Sequence, residues 1–465
     1  MIQLSSAQHI HIIGIGGAGM SPIARILLER GYTVSGSDRT PNAISEALAR
    51  DGATIHTGHS AENVIGADMV ITTSAAPDDH IEIVTARTNA IPVYKRRDIL
   101  APLMAAHKVI AVAGTHGKTT TTGLIVHLLR ECGRDPSYIV GGVMGNTGTN
   151  AADGRGDLFV VEADEYDDMF LGLRPDTIVL TSIEYDHPDY FTSPEMMLDK
   201  FAQFVRLLQP GGRLIACMDY PMVQQIIAQN AAGADIIGYS TQSHPAAAMQ
   251  AHDIRLQDGD SAFDLHIITG GQINVNVGAV QTPLLGEHNV ANSIAALTAA
   301  DVHGVMLSHS IPALAGFKST ARRFELRGTA GDVVVYDDYA HHPTAIELVC
   351  KAARARYPDR PLWIVWQPHM YSRTQTLIAD YARAFTAADR VIVTDIYAAR
   401  EAAIAGVSGA WAAEQIQQTA AHHSGDIDAT ADYLVANVPD SAVIVIMSAG
   451  DAPAIGQRFL AARRG

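Results

Sequence analysis

The sequence lacks the features that mark secreted, membrane-spanning and nucleic-acid-binding proteins. No apolar run approaches the 18 or so residues of a membrane helix, and the N-terminal residues show no basic region followed by an apolar signal core. The three cysteines, Cys132, Cys217 and Cys350, include no Cys-x-x-Cys pair, which excludes a disulfide framework and a zinc knuckle. We therefore expect a cytoplasmic protein with reduced cysteines.

Basic residues are also in the minority. The chain has 33 lysines and arginines against 49 acidic residues, a net charge of −16. This balance argues against a general affinity for nucleic acid or an anionic membrane, although local basic loops can still bind an anionic substrate. A length of 465 residues, with 48% hydrophobic and 18% charged content, predicts a globular protein of about three domains.

What the sequence does contain is a phosphate-binding pattern. The apolar run Val109–Ala113 predicts a buried parallel strand, and a helical pattern follows the loop Gly114, Thr115, His116, Gly117, Lys118, Thr119 and Thr120. This order places a phosphate at a helix N-terminus, where free N–H groups and the helix dipole favour negative charge. The loop is a shortened form of G-x-x-x-x-G-K-[ST], because Val112 occupies the first glycine position. We predict that Lys118 neutralises terminal phosphates and that the Thr119 hydroxyl binds Mg²⁺; the alternative is a glycine turn with a solvated lysine.

A second glycine-rich turn lies near the N-terminus. A predicted strand from His9 runs into Gly14, Gly16 and Gly19, which satisfy G-x-G-x-x-G, and Asp38 follows about 20 residues later. The pattern favours NAD, but any pyrophosphate could bind these glycine N–H groups, and Asp38 could accept a hydrogen bond from any ribose or base. A purely structural turn is the third alternative.

Two further segments of this region follow the same logic. The loop Thr72–Pro77, which contains Ser74, follows an apolar strand and is expected to face the same ligand. The basic cluster Lys95–Arg97 could contact a phosphate, but we interpret it as a solvated linker.

In the middle of the chain, two predicted strands end in acidic residues. Leu158–Glu162 runs into an acidic cluster that ends at Asp168, and Thr177–Ile183 is followed by a segment that contains His187. Oxygen ligands opposite a phosphate loop suit Mg²⁺, so we predict that Glu162 binds the metal; His187 is a weaker candidate, because imidazole is an unusual Mg²⁺ ligand. The aspartates of the cluster are interpreted as loop-solvating or helix-capping residues.

Residues 238–285 alternate polar and apolar side chains, with turn signals at 257–261 and 269–272, which predicts a small antiparallel sheet. A helix then opens after Gly286. His288 and Asn292 share one helix face beside Asn289, and an amide could pair with adenine. Helix capping is the alternative interpretation of these residues.

The remaining chain repeats a strand and helix alternation. Apolar strands at 333–339, 362–366, 391–396 and 442–447, each with a polar C-terminal end, predict a parallel Rossmann-like sheet that binds ligand at that edge. The fold class is therefore α/β, with predicted domains 1–106, 107–320 and 321–465. Zinc at His341 and His342 is disfavoured, because adjacent histidines rarely converge on one ion.

Taken together, seven motifs in order resemble the ATP-dependent Mur ligases of peptidoglycan synthesis. They are Gly14-Ile-Gly-Gly-Ala-Gly-Met-Ser21, Gly114-Thr-His-Gly-Lys-Thr119, Glu162-Ala-Asp-Glu165, His288-Asn289 with Asn292, Arg322-Arg-Phe324, Asp337-Asp-Tyr-Ala-His-His-Pro343, and Gln367-Pro-His with Tyr371 and Arg373. The resemblance implies three domains, the first of which binds a UDP-sugar rather than NAD. It assigns to that substrate the residues Gly16, Gly17, Ala18, Gly19, Met20, Asp38 and Ser74.

The resemblance also implies roles for residues of the other two domains. Lys118 and Thr119 handle the ATP phosphates with Mg²⁺, and Glu162 and His187 hold the metal ions. The nucleotide also contacts His288, Asn289, Asn292, Arg323 and Asp337, and the amino-acid pocket contains Tyr339, His341 and Arg373. Catalytic roles fall to Lys118, His187, Arg323, His341 and Arg373.

The implied reaction joins L-alanine to the lactyl carboxylate of UDP-N-acetylmuramate through an acyl phosphate, with release of ADP and phosphate. Three positions depart from the family pattern. Met370 stands where many relatives carry an arginine, Ala340 replaces a common glycine, and Tyr166 replaces a common serine. The nearest alternative is the murein-tripeptide-recycling branch, and an NAD- or UDP-sugar oxidoreductase is the alternative from another class. We expect a monomer or weak homodimer.

Overall fold

The computed structural model describes residues 2, 4, 7–231, 233–257, 259–269 and 272–464, which form three β-sheets with flanking helices. The first sheet is parallel throughout, in the strand order β3-β2-β1-β4-β5. Its elements are β1 (His9–Ile13), α1 (Ser21–Glu29), β2 (Thr33–Asp38), α2 (Ala43–Arg50), β3 (Thr54–Thr57), β4 (Met69–Thr72), α3 (Ile81–Thr88), β5 (Val93–Lys95) and α4 (Arg96–Met104).

The second sheet has ten strands in the order β15-β14-β13-β12-β11-β10-β6-β9-β7-β8. Its strands are β6 (Lys108–Ala113), β7 (Ser137–Ile139), β8 (Ala151–Ala152), β9 (Leu158–Glu162), β10 (Thr177–Leu180), β11 (Arg213–Cys217), β12 (Asp235–Ser240), β13 (Met249–Gln257), β14 (Asp260–Thr269) and β15 (Gln272–Thr282). The helices are α5 (Lys118–Glu131), α6 (Pro194–Val205), α7 (Pro221–Asn230), α8 (Glu287–Val302) and α9 (Leu307–Ala313).

The antiparallel segment expected from the alternating pattern is β13, β14 and β15. It is not a separate sheet, because β13 pairs in parallel with β12 and so continues the central sheet. Residues 238–240, which the prediction included, belong to the parallel strand β12. Of the predicted turns, residues 258 and 270–271 lie outside the described part of the chain.

The third sheet has the order β16-β17-β21-β18-β19-β20, and it is parallel except for β16, which pairs antiparallel with β17. Its strands are β16 (Glu325–Ala330), β17 (Val333–Asp338), β18 (Leu362–Trp366), β19 (Arg390–Thr394), β20 (Ala420–Gly425) and β21 (Val443–Met447). The helices are α10 (Pro343–Arg356), α11 (Tyr371–Thr376), α12 (Ile378–Ala384), α13 (Gly409–Gln415), α14 (Ile427–Asn437) and α15 (Pro453–Arg464). The four predicted strands are all present, and the edge strands β16 and β20 were not predicted.

The phosphate-loop helix α5 is the most enclosed helix of the central region. Its residues 119–129 are all buried, between the sheet on one side and α8 on the other. Leu124, Ile125, Leu128 and Leu129 each have no exposed surface, and burial of such a side chain contributes roughly 2 kcal/mol. The phosphate loop therefore leads directly into a helix that is buried in the central domain. Among the described residues, no helix combines the length and apolar character needed to cross a bilayer.

Candidate active site

The three sheets turn their functional loops toward one cavity of about 810 Å³. Gly19 follows β1 in the first sheet, Lys118 begins α5, and His187 follows β10. The third sheet contributes His341 after β17 and Arg373 on α11. Ligands of open α/β sheets bind at the carboxyl ends of the strands, and here three such ends share one space.

The phosphate loop depends on two glycines in left-handed conformations. Gly114 has φ +136° and Gly117 has φ +79°, a region that a side chain disfavours. A Cβ atom on Gly114 would lie 2.2 Å from the Thr181 hydroxyl, and one on Gly117 would lie 2.4 Å from Oδ1 of Asn292. The backbone N–H of Thr115 donates to the carbonyl of Ser182 at 2.8 Å. The loop is thus fixed against the end of β10 and against α8.

Lys118 pairs with a carboxylate that the sequence analysis did not single out. Its Nζ lies 2.8 Å from Oε2 and 3.0 Å from Oε1 of Glu165, and 2.5 Å from the carbonyl of Gly114. Burial lowers the pKa of Lys118, but the carboxylates of Glu165 and Asp164 outweigh it, so the pKa is raised above its ordinary value. Lys118 is therefore a charged ammonium held in place by Glu165, and a phosphate that binds Lys118 must displace that carboxylate.

Thr119 and Glu162 form a second pair beside the loop. The Thr119 hydroxyl donates to Oε1 of Glu162 at 2.9 Å, and the N–H of Gly141 donates to the other oxygen at 2.6 Å. Arg323, from the third sheet's side, donates to the Thr119 hydroxyl at 3.0 Å. A hydroxyl and a carboxylate are hard oxygen donors of the kind that Mg²⁺ prefers, so this donor set fits the predicted metal.

His187 belongs to a different group of contacts. Its Nδ1 lies 3.2 Å from Nη2 of Arg373, and its Nε2 faces Glu165 at 3.8 Å. Arginine can only donate, so Nδ1 of His187 accepts in this contact. The ring thus lies between Arg373 and Glu165, and its role as a metal ligand stays a prediction.

Arg373 is buried in an ion pair that joins the central and third sheets. Its Nε donates to Oδ1 of Asp186 at 2.8 Å, and the two side chains are 2% and 5% exposed. Nη1 contacts Nδ1 of His369 at 3.1 Å. Burial would raise the pKa of Asp186, but the positive charge of Arg373 holds it well below its ordinary value. The family resemblance implies that this guanidinium lies in the amino-acid pocket. In the structure its nitrogens already contact Asp186, His369 and His187.

The predicted adenine residues are in contact with one another. Nδ2 of Asn292 donates to Oδ1 of Asn289 at 3.1 Å, and Oδ1 of Asn292 accepts from the Thr121 hydroxyl at 3.1 Å. Nδ2 of Asn289 donates to the Leu285 carbonyl at 2.9 Å. Burial lowers the pKa of His288 to about 4, so its ring is neutral. The Asn292 amide therefore supports the phosphate loop from α8, and its contact with adenine stays a prediction.

The third sheet contributes a cluster of arginines and aspartates. Arg322 pairs with Asp337 at 3.2 Å, and burial raises the pKa of this buried carboxyl to about 6 despite Arg322. Arg322 and Arg323 both lie over the Tyr339 ring, at 5.1 and 5.3 Å from its centroid. Asp337 thus positions Arg322, and the Tyr339 ring makes cation–π contacts with the guanidinium groups of Arg322 and Arg323.

His341 lies deeper in the same loop. Its Nδ1 is 2.9 Å from the Tyr339 carbonyl, which can only accept, so Nδ1 carries the hydrogen and Nε2 keeps its lone pair. Burial and the charge of Arg373 hold the pKa of His341 well below its ordinary value. The ring is therefore a neutral imidazole whose Nε2 accepts no hydrogen bond from the residues that the structure describes.

Of the residues predicted to hold a UDP-sugar, Ala18 and Gly19 line the cavity. The N–H of Gly16 donates to Asp38 at 3.0 Å, while the Met20 side chain is packed in the core and Ser74 is exposed. The N–H of Gly17 donates to the carbonyl of Gly14 at 3.0 Å, which closes the glycine turn.

Arg96 corrects the solvated-linker interpretation of Lys95–Arg97. It lines the cavity, and a Cβ on Gly19 would lie 2.5 Å from its Nη1. Its Nε is buried and has no hydrogen-bond partner among the described residues. The guanidinium of Arg96 lies between the glycine loop and the acidic end of β9, where the carboxylates of Glu162 and Asp164 stabilise its positive charge. Arg96 is therefore a cation that faces the ligand space.

Comparison with known proteins decides the family. The model of the Mur ligase catalytic domain matches residues 9–108, the Mur ligase middle domain matches 112–300, and the Mur ligase glutamate ligase domain matches 322–450. The chain belongs to the Mur ligase family. These three matched segments contain the glycine loop, the phosphate loop and the His341 loop of the cavity.

Individual relatives agree with this assignment. The Mur ligase is 41% identical to UDP-N-acetylmuramate–L-alanine ligase of Mycobacterium marinum over 98% of this chain and 95% of the relative. It is 42% identical to the enzyme of the same name from Mycobacterium bovis, with the same coverage. The solved UDP-N-acetylmuramate–alanine ligase of Thermotoga maritima shares its fold, with a TM-score of 0.80 at 24% identity over 98% of both chains. A murein peptide ligase of Psychrobacter arcticus has a TM-score of 0.72 at 26% identity, over 98% of this chain and 99% of that one.

The sequence patterns assigned no site role to four residues of this Mur ligase: Arg96, Glu165, Asp186 and Arg322. Each lies inside a basic or acidic segment of the sequence. No spacing rule told which member of each segment would face the cavity, because Glu165, Asp186 and Arg322 are positioned by residues distant in sequence, Lys118, Arg373 and Asp337.

Proposed function

We propose that this Mur ligase joins L-alanine to the lactyl carboxylate of UDP-N-acetylmuramate, with ATP converted to ADP and phosphate. The observation that carries the reaction type is the single cavity shared by the phosphate loop, the glycine loop of the first sheet and the His341 loop of the third. The printed names of the mycobacterial relatives support the choice of substrates.

The first step brings two anions together. An oxygen of the lactyl carboxylate bonds to the γ-phosphorus while the bond from that phosphorus to the bridging oxygen breaks, and ADP leaves. Lys118 and Arg323 offset the repulsion, since both positive groups lie at the start of α5. Mg²⁺, when bound, adds positive charge at the phosphate oxygens, and Thr119, Glu162 and His187 are the residues that would hold it.

In the second step the amine nitrogen of L-alanine bonds to the acyl carbon, and the carbon–oxygen bond to phosphate breaks. The amine must be unprotonated to attack and must lose a further proton as the amide forms. Nε2 of His341 is a neutral acceptor in the cavity, which suits it to take such a proton. Tyr339 and Arg373 flank this histidine in the proposed amino-acid pocket.

The remaining assignments belong to the same proposal. The domains are 1–106, 107–320 and 321–465, and the first holds the UDP-sugar through its glycine loop, with Asp38 and Ser74 nearby. ATP contacts His288, Asn289 and Asn292 on the side of α8. A cytoplasmic location and a monomeric or weakly dimeric state stay predictions. The NAD oxidoreductase alternative is disfavoured, because it leaves the phosphate loop and the acidic strand ends without a task.

Product analysis tests this function. We expect phosphate release only when ATP, UDP-N-acetylmuramate and L-alanine are present together, with one new amide bond in the product by mass spectrometry. Phosphate release that continues at the same rate without the sugar nucleotide would contradict the proposal.

The murein-tripeptide branch is the second candidate, because murein peptide ligases are among the structural neighbours at 26% and 29% identity. A competition assay separates the two. With L-alanine and the tripeptide at equal concentrations, we expect the alanine adduct to dominate, and a dominant tripeptide adduct would favour the second candidate.

A further inference from the structure

Three histidines surround one buried carboxylate beside the first sheet, and the proposed reaction uses none of them. The carboxylate belongs to Glu82, in the first turn of α3. The histidines are His11 on β1, His59 in the loop after β3 and His80 immediately before α3. None of these four residues is among those that line the cavity. The group is therefore a feature separate from the candidate active site.

Glu82 carries a negative charge at neutral pH although its side chain has no exposed surface. Burial would raise its pKa, but the neighbouring His11 ring and hydrogen bonds from Ser37 and Asn63 lower it to about 2. The Ser37 hydroxyl donates to Oε2 at 2.6 Å, and Nδ2 of Asn63 donates to Oε1 at 2.7 Å. A carboxylate oxygen can accept more than one partner, so Oε2 can also bind a cation.

The atoms that could hold a cation converge at this carboxylate. One ring nitrogen each of His59 and His80 and one carboxylate oxygen of Glu82 lie within 4.8 Å of one another. Nε2 of His11 lies 3.7 Å from Oε2 of Glu82. This nitrogen is buried and has no hydrogen-bond partner among the described residues. A buried nitrogen without a partner is costly, and a ligand that binds it removes that cost.

Hydroxyl groups orient two of the three rings. Nδ1 of His11 lies 2.9 Å from the Ser35 hydroxyl, and Nδ1 of His59 lies 3.0 Å from the Ser37 hydroxyl. Histidines that bind metals are commonly held in this way, with one ring nitrogen on a protein partner and the other on the metal. The Ser37 hydroxyl contacts both His59 and Glu82, so it fixes two of the candidate ligands relative to each other.

This donor set selects the kind of ion. Imidazole nitrogens together with a carboxylate oxygen suit Zn²⁺, whereas Mg²⁺ prefers oxygen ligands alone. Bonds of about 2.1 Å in a tetrahedral arrangement place the ligand atoms about 3.4 Å apart, so only small side-chain rotations are needed here. The His59 side chain is 24% exposed, which gives it room to turn and gives an ion a path from solvent.

We propose that the first domain binds one Zn²⁺ ion between Glu82, His11, His59 and His80. The ion joins β1, the loop after β3 and the start of α3, three segments that are separate in sequence, and so stabilises the first domain. This inference goes beyond the proposed function and does not depend on it.

Zinc titration of the full chain, first stripped with a chelator, tests the site. Against a chromogenic chelator we expect one tightly bound ion per chain. Nδ1 of His80 accepts from the N–H of Glu82 at 3.3 Å, and His80→Asn can keep this helix cap while it removes the imidazole. We expect His80→Asn to weaken zinc binding at least about 10-fold. His309→Asn, which removes an exposed histidine of α9, is the matched control and should bind zinc as the wild type does.

A second group, His116, Glu184 and His342, could take up zinc in the same titration, and His342→Asn separates the two. Binding that is lost in His342→Asn but kept in His80→Asn would overturn the proposal, as would a wild-type chain that binds no zinc. The melting temperature gives an independent measurement. Zinc should raise it in the wild type and in His342→Asn but not in His80→Asn, and an equal rise in His80→Asn would contradict the assignment. Neither measurement uses turnover, so a failure of the proposed function leaves both results unaffected.

Discussion

The Asp186–Arg373 ion pair gives the sharpest stability prediction. It connects the loop after β10 to α11, so it joins the central and third sheets, and both side chains are at most 5% exposed. In Asp186→Asn the amide can still accept from Arg373, but the guanidinium loses its counter-charge. Loss of a partner from a buried pair costs about 3–5 kcal/mol, and we expect the lower end because one hydrogen bond survives. With a urea slope of roughly 3 kcal/mol/M, the unfolding midpoint should fall by about 1 M.

Tryptophan fluorescence is the suitable assay, because Trp363, Trp366 and Trp411 are the three tryptophans and all lie on the third sheet's side. The control is Asp380→Asn, whose partner Arg383 is 65% exposed, and its midpoint should move by less than about 0.3 M. Equal shifts for the two variants would refute the reasoning.

The pH dependence of this pair has a definite sign. The pKa of Asp186 is held well below its ordinary value in the folded protein, because Arg373 outweighs burial. The pair therefore stabilises the protein above the unfolded pKa, and this stability is lost only as the pH falls through the lower folded pKa. The difference between wild type and Asp186→Asn should persist at pH 5 and shrink at more acidic pH.

The other predictions concern the phosphate loop and α8. Gly114→Ala should weaken ATP binding about 10- to 100-fold by calorimetry, because its Cβ meets the Thr181 hydroxyl and its φ is left-handed; Gly133→Ala, also at positive φ but in open space, should not. Lys118→Ala should abolish phosphate release while UDP-N-acetylmuramate binding stays nearly intact, and an equal loss of both would mean that the two sites are not separate. Burial lowers the pKa of His288 to about 4, so the protein loses stability as the pH falls from 6.5 toward 4, where only the unfolded chain binds the proton readily. In His288→Asn the urea midpoint should fall less over that pH window than in the wild type, and an equal fall would contradict this.

Buried strands were predictable, and edge strands were not. The sequence predictions for β9 and β18 match their bounds, Leu158–Glu162 and Leu362–Trp366, because parallel strands covered on both faces are continuous apolar runs. The edge strand β20 reads Ala-Ala-His-His-Ser-Gly and has no such run, since only part of it is covered. Strand β16 pairs antiparallel at the opposite edge and is likewise mostly exposed or half-buried.

For the site, the sequence predicted which loops contain functional residues, but it did not predict which side chains contact each other. Lys118 and Thr119 were identified from the loop pattern, yet the Lys118–Glu165 contact spans 47 residues and the Asp186–Arg373 contact spans 187. Such pairs form between different strand ends, and no local spacing encodes them. Arg373 shows this most clearly, because the sequence predicted a guanidinium that binds substrate, and the structure places it in a buried ion pair with Asp186.

The central claim is that the lactyl carboxylate attacks the γ-phosphate at the loop of Lys118. Oxygen-18 placed in that carboxylate tests it most directly, by mass spectrometry of the phosphate released in a single turnover with ATP and L-alanine. The acyl-phosphate route transfers one labelled oxygen to the phosphate, so we expect phosphate with one heavy oxygen per molecule of product. Unlabelled phosphate beside the new amide would contradict the account.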